Sequence, residues 1–150
     1  IEDIKKIEGD VVIVSSDFGG LKKTGRFAEK LHLPLANIDK RRDLQTGKVE
    51  ARAITGDVAG KTAVIFDDLI NGGSTAIEAA RILREHNAAK VRIYATHALL
   101  AGDASARLQA SALDEVVVTD TIDTTEKTFP KLRVLSVASI FAQELTQWAR

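Results

Sequence analysis

The run from Lys61 to Glu85 restricts the possible folds of this chain more than any other stretch. Thr62 to Phe66 is apolar or β-forming with no polar alternation, which predicts a strand buried on both faces. Asp67 and Asp68 follow, then Leu69 and Ile70, then the tight polar loop Asn71-Gly72-Gly73-Ser74-Thr75. Ala76, Ile77, Ala79, Ala80, Ile82 and Leu83 recur at helical spacing, so a helix is expected up to about Glu85. Strand, acidic pair, glycine loop and helix therefore follow one another without a gap.

Each part has a physical use. Paired glycines permit positive φ and let an anion approach the main chain, because no Cβ stands in the way. The helix that follows points its free N–H groups and the positive end of its dipole into the loop. A phosphate suits that place, and Ser74 and Thr75 add hydroxyl donors. Asp67 and Asp68 can accept hydrogen bonds from sugar hydroxyls or hold Mg²⁺. The plainer alternative is a capped βα turn whose acids lie near a helix N-terminus for dipole reasons alone.

The rest of the chain repeats the same unit. Val11 to Ser15 is a β-branched run leading into Ser16-Asp17-Phe18-Gly19-Gly20, a second strand, acid and glycine passage. Leu21, Gly25, Ala28 and Leu31 share a helical face, and Pro34 ends that helix. Leu35 to Ile38 is a short strand ending in Asp39-Lys40-Arg41-Arg42, which is either a solvated turn or an anion clamp. From Asp43 to Lys61 the chain is polar, with an alternating run Val49 to Ile54, and reads as a loop joined to an edge strand, a usual place for a lid. Strands are expected at Val91–Thr96, Glu115–Thr119 and Leu132–Ser136. Ala104, Leu108 and Leu113 mark a modest helix, and Ile140, Phe141, Leu145 and Trp148 line a closing one. Tyr94 and Trp148 read as packing residues, His97 as a structural histidine bonded within its loop, and residues 1–10 as a linker or the end of an earlier element.

Alternating strands and helices imply an α/β fold, a mostly parallel sheet with helices on both faces. Ligands of such sheets bind beyond the carboxyl ends of the strands. Asp17, Lys40, Arg42, Asp67, Asp68 and His97 all fall at such ends, so one rim gathers them. With 21 basic and 21 acidic residues the formal net charge is zero, which gives no global attraction to nucleic acid or to an anionic membrane. The chain lacks cysteine, which excludes disulfides and thiol nucleophiles. Without a signal peptide or a long apolar run, a cytoplasmic protein is expected. A chain that begins at Ile1 and contains no methionine is expected to be part of a longer one.

Six segments together resemble a known family. They are Val14–Gly20, Ile38–Arg42, Ile54–Lys61, Phe66–Thr75, Tyr94–His97 and Val117–Ile122, and they resemble the C-terminal domain of ribose-phosphate pyrophosphokinases, the phosphoribosyl pyrophosphate synthetases. The resemblance covers nearly the whole chain in order, and Lys40-Arg41-Arg42 separates it from ordinary type I phosphoribosyltransferases, which share only the acidic-pair loop. It implies a type I phosphoribosyltransferase-like domain over residues 1–150, with a related N-terminal domain missing. It also implies a homo-oligomer and transfer of diphosphate from Mg-ATP to ribose 5-phosphate, giving phosphoribosyl pyrophosphate and AMP. By position, Asn71, Gly72, Gly73, Ser74 and Thr75 would cradle the 5-phosphate, Asp67 and Asp68 would hold the ribose hydroxyls, and Asp17 would sit at a Mg²⁺ site. Lys40 and Arg42 would neutralise charge on the transferred diphosphate. Part of the ATP and metal site would lie on the missing domain and at subunit interfaces, so this chain alone is expected to be inactive.

Two positions depart from the family pattern. An acid stands there where this chain has Asn71, and a threonine where it has Gly72. Asparagine keeps hydrogen bonding but loses a charge, and Gly72 lacks a hydroxyl that would touch the phosphate. These departures keep open a non-catalytic regulatory paralogue of the synthetase, and the acidic-pair loop taken alone keeps open a nucleobase phosphoribosyltransferase.

Overall fold

A computed structural model of the chain describes residues 1–16, 19–42 and 49–148; the side chains at 40–42 and 49–53 are outside the description. The strands are β1 (Val11–Ser15), β2 (Leu35–Arg42), β3 (Val49–Thr55), β4 (Thr62–Ile70), β5 (Lys90–Ala98), β6 (Glu115–Thr119) and β7 (Leu132–Leu135). Between them lie helices α1 (Leu21–Leu31), α2 (Ser74–Glu85), α3 (Ala104–Ala110) and α4 (Ala138–Trp148). The strands form one sheet in the order β3-β2-β1-β4-β5-β6-β7, parallel throughout except for β3, which runs antiparallel to β2 at the edge. This is the expected α/β architecture, with the alternating run at Val49 as the edge strand.

β1 is buried at every position because its run is apolar on both faces. Side-chain alternation sorts the core into two layers. Val12, Val14, Ala63, Ile65 and Ile93 meet α2 and α3 on one face, where Ala79, Ala80, Ile82 and Leu83 are fully enclosed. Each large aliphatic side chain buried this way contributes about 1.5–3 kcal/mol. Val11, Ile13, Val64, Tyr94 and Val117 face the other way, against Ala28 of α1 and the N-terminal Ile4. α1 ends at His32, whose left-handed conformation lets its N–H reach the Ala28 and Glu29 carbonyls. Among the described residues no helix is long and apolar enough to cross a membrane.

Several sequence expectations need correction, among them the end of β2, which runs through Arg42 and not only to Ile38. Residues 1–10 are no mere linker: Ile4 is 2% exposed, and the Asp3 carboxylate accepts bonds from Arg133 of β7 and from the Tyr94 hydroxyl. β4 does not stop at Phe66; it continues through Asp67 and Asp68 to Ile70, because β5 extends alongside it from Asp67↔Ala95 to Ile70↔Ala98. For the same reason His97 lies inside β5 and not after it. Finally, the apolar residues of α4 do not pack: Ile140, Phe141, Leu145 and Trp148 are all exposed, since no described element lies over that side of the helix. Tyr94, by contrast, is a packing residue as expected, with its ring 6.1 Å from that of Phe66.

Candidate functional site

The carboxyl ends of the strands form one rim. Register fixes the neighbours there: Ser15 of β1 lies beside Asn37 of β2, and Val14 beside Ile65 of β4. Lys40 comes three residues after Asn37, and Asp67 two after Ile65, so both strands run past the carboxyl end of β1 at the same edge of the sheet, with β1 between them. A register shift between Asp39 and Lys40 re-aims the end of β2 as it carries Lys40 and Arg42 along β3. The side chains of Lys40 and Arg42, and all of Asp17, lie outside the described residues.

Asp67 and Asp68 belong to one strand and alternate in face. The Asp67 carboxylate accepts the Asp68 backbone N–H at 2.7 Å, which fixes its direction at the rim. Asp68 is exposed and pairs with Lys23 of α1. The structure thus brings both acids to the rim, and it adds Lys23, which no local pattern singles out.

The turn after β4 is closed by Ala101 N–H donating to the Asn71 carbonyl at 3.0 Å and by the Leu99 N–H on Ile70 at 2.9 Å. Gly73 is the N-cap of α2, in the left-handed region with φ +76°. A Cβ at this position would lie 3.0 Å from the Leu108 side chain of α3, so glycine is required by conformation and by space together. No side chain caps α2, and its first turn carries no acid. Among the described residues, the N–H groups of Gly72, Gly73, Ser74 and Thr75 have no backbone acceptor. Their dipoles and donors are therefore available to an anion in the loop. The plain capping alternative fits poorly, because no side chain caps α2, while Asp67 accepts the Asp68 N–H and Asp68 pairs with Lys23.

Arg107 of α3 also reaches this loop. Its Nη1 donates to the Gly72 carbonyl at 3.2 Å and its Nη2 to Ser74 Oγ at 3.0 Å. Nothing in the local pattern marks it, since an arginine on a short exposed helix is ordinary and its partners lie 33 and 35 residues away.

Two further features border the rim. His97 Nδ1 lies 2.9 Å from Thr121 Oγ1, a tie to the next loop in keeping with a structural role. On the α1 side of the sheet a cleft of about 930 Å³ opens beside Asp67 and Asp68, with Lys23, Gly19 and Gly20 on its wall and Phe66 and Tyr94 at its floor. Phe27 stacks on Phe66 with centroids 4.4 Å apart, closing one end of that floor. Loop 71–75 is not part of its lining; the acids are the shared edge.

The carboxylates of Asp67 and Asp68 are hard oxygen donors of the type Mg²⁺ takes, but among the described residues no three His, Asp or Glu side chains converge to hold a metal ion. That donor set fits an ion held by one or two carboxylates together with bound phosphates.

Residues 47–147 match the family model described as the phosphoribosyl synthetase-associated domain. A ribose-phosphate pyrophosphokinase from Caldanaerobacter subterraneus is 45% identical over 94% of this chain and 45% of its own length. One from Burkholderia pseudomallei is 42% identical over 94% of the chain and 45% of its own length. Among solved structures, phosphoribosylpyrophosphate synthetase from Mycobacterium smegmatis superposes with TM-score 0.82 at 38% identity, covering 93% of this chain and 45% of that one. A purine phosphoribosyltransferase from Pyrococcus horikoshii, at TM-score 0.54 and 20% identity over 90% of this chain and 74% of that one, shares the fold alone. This chain thus spans about half the length of the curated relatives it matches, and on the family-model match it belongs to the phosphoribosyl synthetase-associated domain family.

Proposed function

We propose that the chain is the ribose 5-phosphate half of a ribose-phosphate diphosphokinase, acting within a longer homo-oligomeric protein as the domain that follows a related N-terminal one. The observation that carries this reading is the α2 N-terminus: it has neither a side-chain cap nor an acid in its first turn, and it stands on the same rim as Asp67. On this reading the amides of Gly72 to Thr75 and the hydroxyls of Ser74 and Thr75 hold the 5-phosphate. Asp67 and Asp68 accept the ribose hydroxyls, which orients the anomeric oxygen toward the diphosphate. Phosphoryl transfer asks a protein mainly for positioning and for positive charge where negative charge develops. Lys40 and Arg42 supply that charge, and Asp17 would be a residue that holds Mg²⁺. When bound, Mg²⁺ would neutralise charge on the transferred diphosphate.

The test is AMP release by the full-length protein carrying this chain, given Mg-ATP and ribose 5-phosphate. Release that depends on the sugar phosphate supports the reading, and background release refutes it.

Asn71 and Gly72 favour a second reading, a non-catalytic regulatory paralogue that binds active subunits. A side chain at Gly72 is sterically admissible, because a Cβ there meets nothing closer than Arg107 Nη1 at 4.0 Å. The double variant Asn71→Asp, Gly72→Thr therefore separates the two: a large gain in turnover identifies the departures as disabling. A nucleobase phosphoribosyltransferase would instead consume phosphoribosyl pyrophosphate only when a base is supplied.

A further inference from the structure

We propose that Arg107 is a positioning residue that aims the donors of loop 71–75 at the sugar phosphate. The proposal rests on the ribose 5-phosphate reading and names a residue outside the loop through which that site works. A guanidinium has donors and no acceptor, so at its 3.0 Å contact Ser74 Oγ can only accept. A hydroxyl carries a single proton, and with its oxygen engaged by Arg107 that proton is left for another acceptor. The second arm acts on the backbone. Nη1 holds the Gly72 carbonyl at 3.2 Å, and in a trans peptide the N–H of the next residue points opposite to that carbonyl. The Gly73 N–H is thereby turned away from Arg107, toward the open side of the turn.

The neighbouring residue completes the brace. Leu108 packs 3.0 Å from where a Cβ of Gly73 would be, so α3 sets the turn with two hydrogen bonds from Arg107 and an apolar contact from Leu108. The Arg107 side chain is 42% exposed, with Asp103 Oδ1 at a loose 3.9 Å, so its two loop bonds are its closest ties.

The test uses the full-length protein and compares wild type with Arg107→Ala, Arg107→Lys, Ser74→Ala and the Arg107→Ala/Ser74→Ala double variant. Ribose 5-phosphate affinity is measured by titration calorimetry, and KM is measured separately for each substrate. Arg107→Ala should weaken ribose 5-phosphate binding about tenfold, roughly the worth of one charge-assisted hydrogen bond. KM for ATP should stay within about twofold. Arg107→Lys, which keeps a cation and one donor, should recover part of the loss, and the double variant should lose little more than Arg107→Ala alone. Unchanged ribose 5-phosphate affinity in Arg107→Ala, parallel losses for both substrates, or fully additive losses with Ser74→Ala overturn the proposal while leaving the domain's function intact. Absence of ribose 5-phosphate binding in wild type overturns the function reading and this inference together. If Arg107→Ala fails to fold, Arg107→Lys decides by the same split between substrates.

Discussion

The two faces of the sheet are finished by different means. On the α2 and α3 face the layers are aliphatic, and Leu108 and Arg107 carry that packing up to the loop at Gly73. On the α1 face the buried layer is smaller, and over β5 to β7 it is completed by a polar clasp. There Asp3 takes both Arg133 Nη groups at 2.9 and 2.7 Å and the Tyr94 hydroxyl at 2.7 Å, while Arg133 Nε donates to Glu115 at 2.6 Å. Beside that clasp lies the cleft. The contrast teaches where precision is needed: the face that sets the loop is packed solid beneath it, whereas the face toward the cleft is tied at its margin by charge.

If that contrast is right, the rim chemistry should respond most strongly of all. Lys40→Ala should lower kcat of the full-length enzyme on the order of 10² to 10³, by analogy with a lost donor to developing negative charge, with stability little changed. A loss below about tenfold in a steady-state assay would remove Lys40 from the transfer step. Next comes the packed face. Gly73→Ala places a Cβ at φ +76° and 3.0 Å from Leu108, so it should cost about 2–4 kcal/mol of stability from left-handed strain and overpacking together. Denaturant unfolding checks this, and a neutral result would mean that the loop is not set by α3.

The clasp should be weaker and should depend on pH. Hydrogen bonding from Arg133 holds the Asp3 carboxyl at about 2, against burial that pushes the other way. A folded-state value below the ordinary 3.8 means that this stabilisation is present above pH 3.8 and is lost as pH falls toward 2. Tyr94, pushed up to about 12 mainly by burial and next by Asp3, stays protonated and donating throughout that range. Asp3→Asn should therefore cost about 1–2 kcal/mol at pH 7 and much less near pH 2, after allowance for partial exposure. Equal losses at both pH values would show that the clasp is not electrostatic. Smallest of all is Lys23→Ala. Its pair with Asp68 has side chains 56% and 69% exposed, so stability should change by no more than about 0.5 kcal/mol. A larger change in thermal unfolding would show that the cleft face carries more of the fold than its packing suggests.

Local order explains what could be read in advance. β4, loop 71–75 and α2 are consecutive, so period and glycines sufficed to expect them. Strand ends were harder, because β4 persists through two acids only by pairing with β5, a partner that local pattern does not reveal. The role of residues 1–10 was hidden for a stronger reason: Asp3 and Arg133 are 130 residues apart. Arg107 belongs to the same class, a solvent-facing arginine given meaning by a loop more than 30 residues earlier. In α4 the sequence misleads, since apolar residues at helical spacing predict a buried face and this one stands exposed.

The most direct test of the account is a crystal structure of the full-length protein with ribose 5-phosphate. The account predicts the phosphate within about 2.7–3.2 Å of the N–H groups of Gly72 to Thr75, with the ribose hydroxyls on Asp67 and Asp68. A sugar phosphate with its phosphate group in the cleft on the α1 side, or on the amino-terminal edge of the sheet, with the loop amides unengaged, would contradict it.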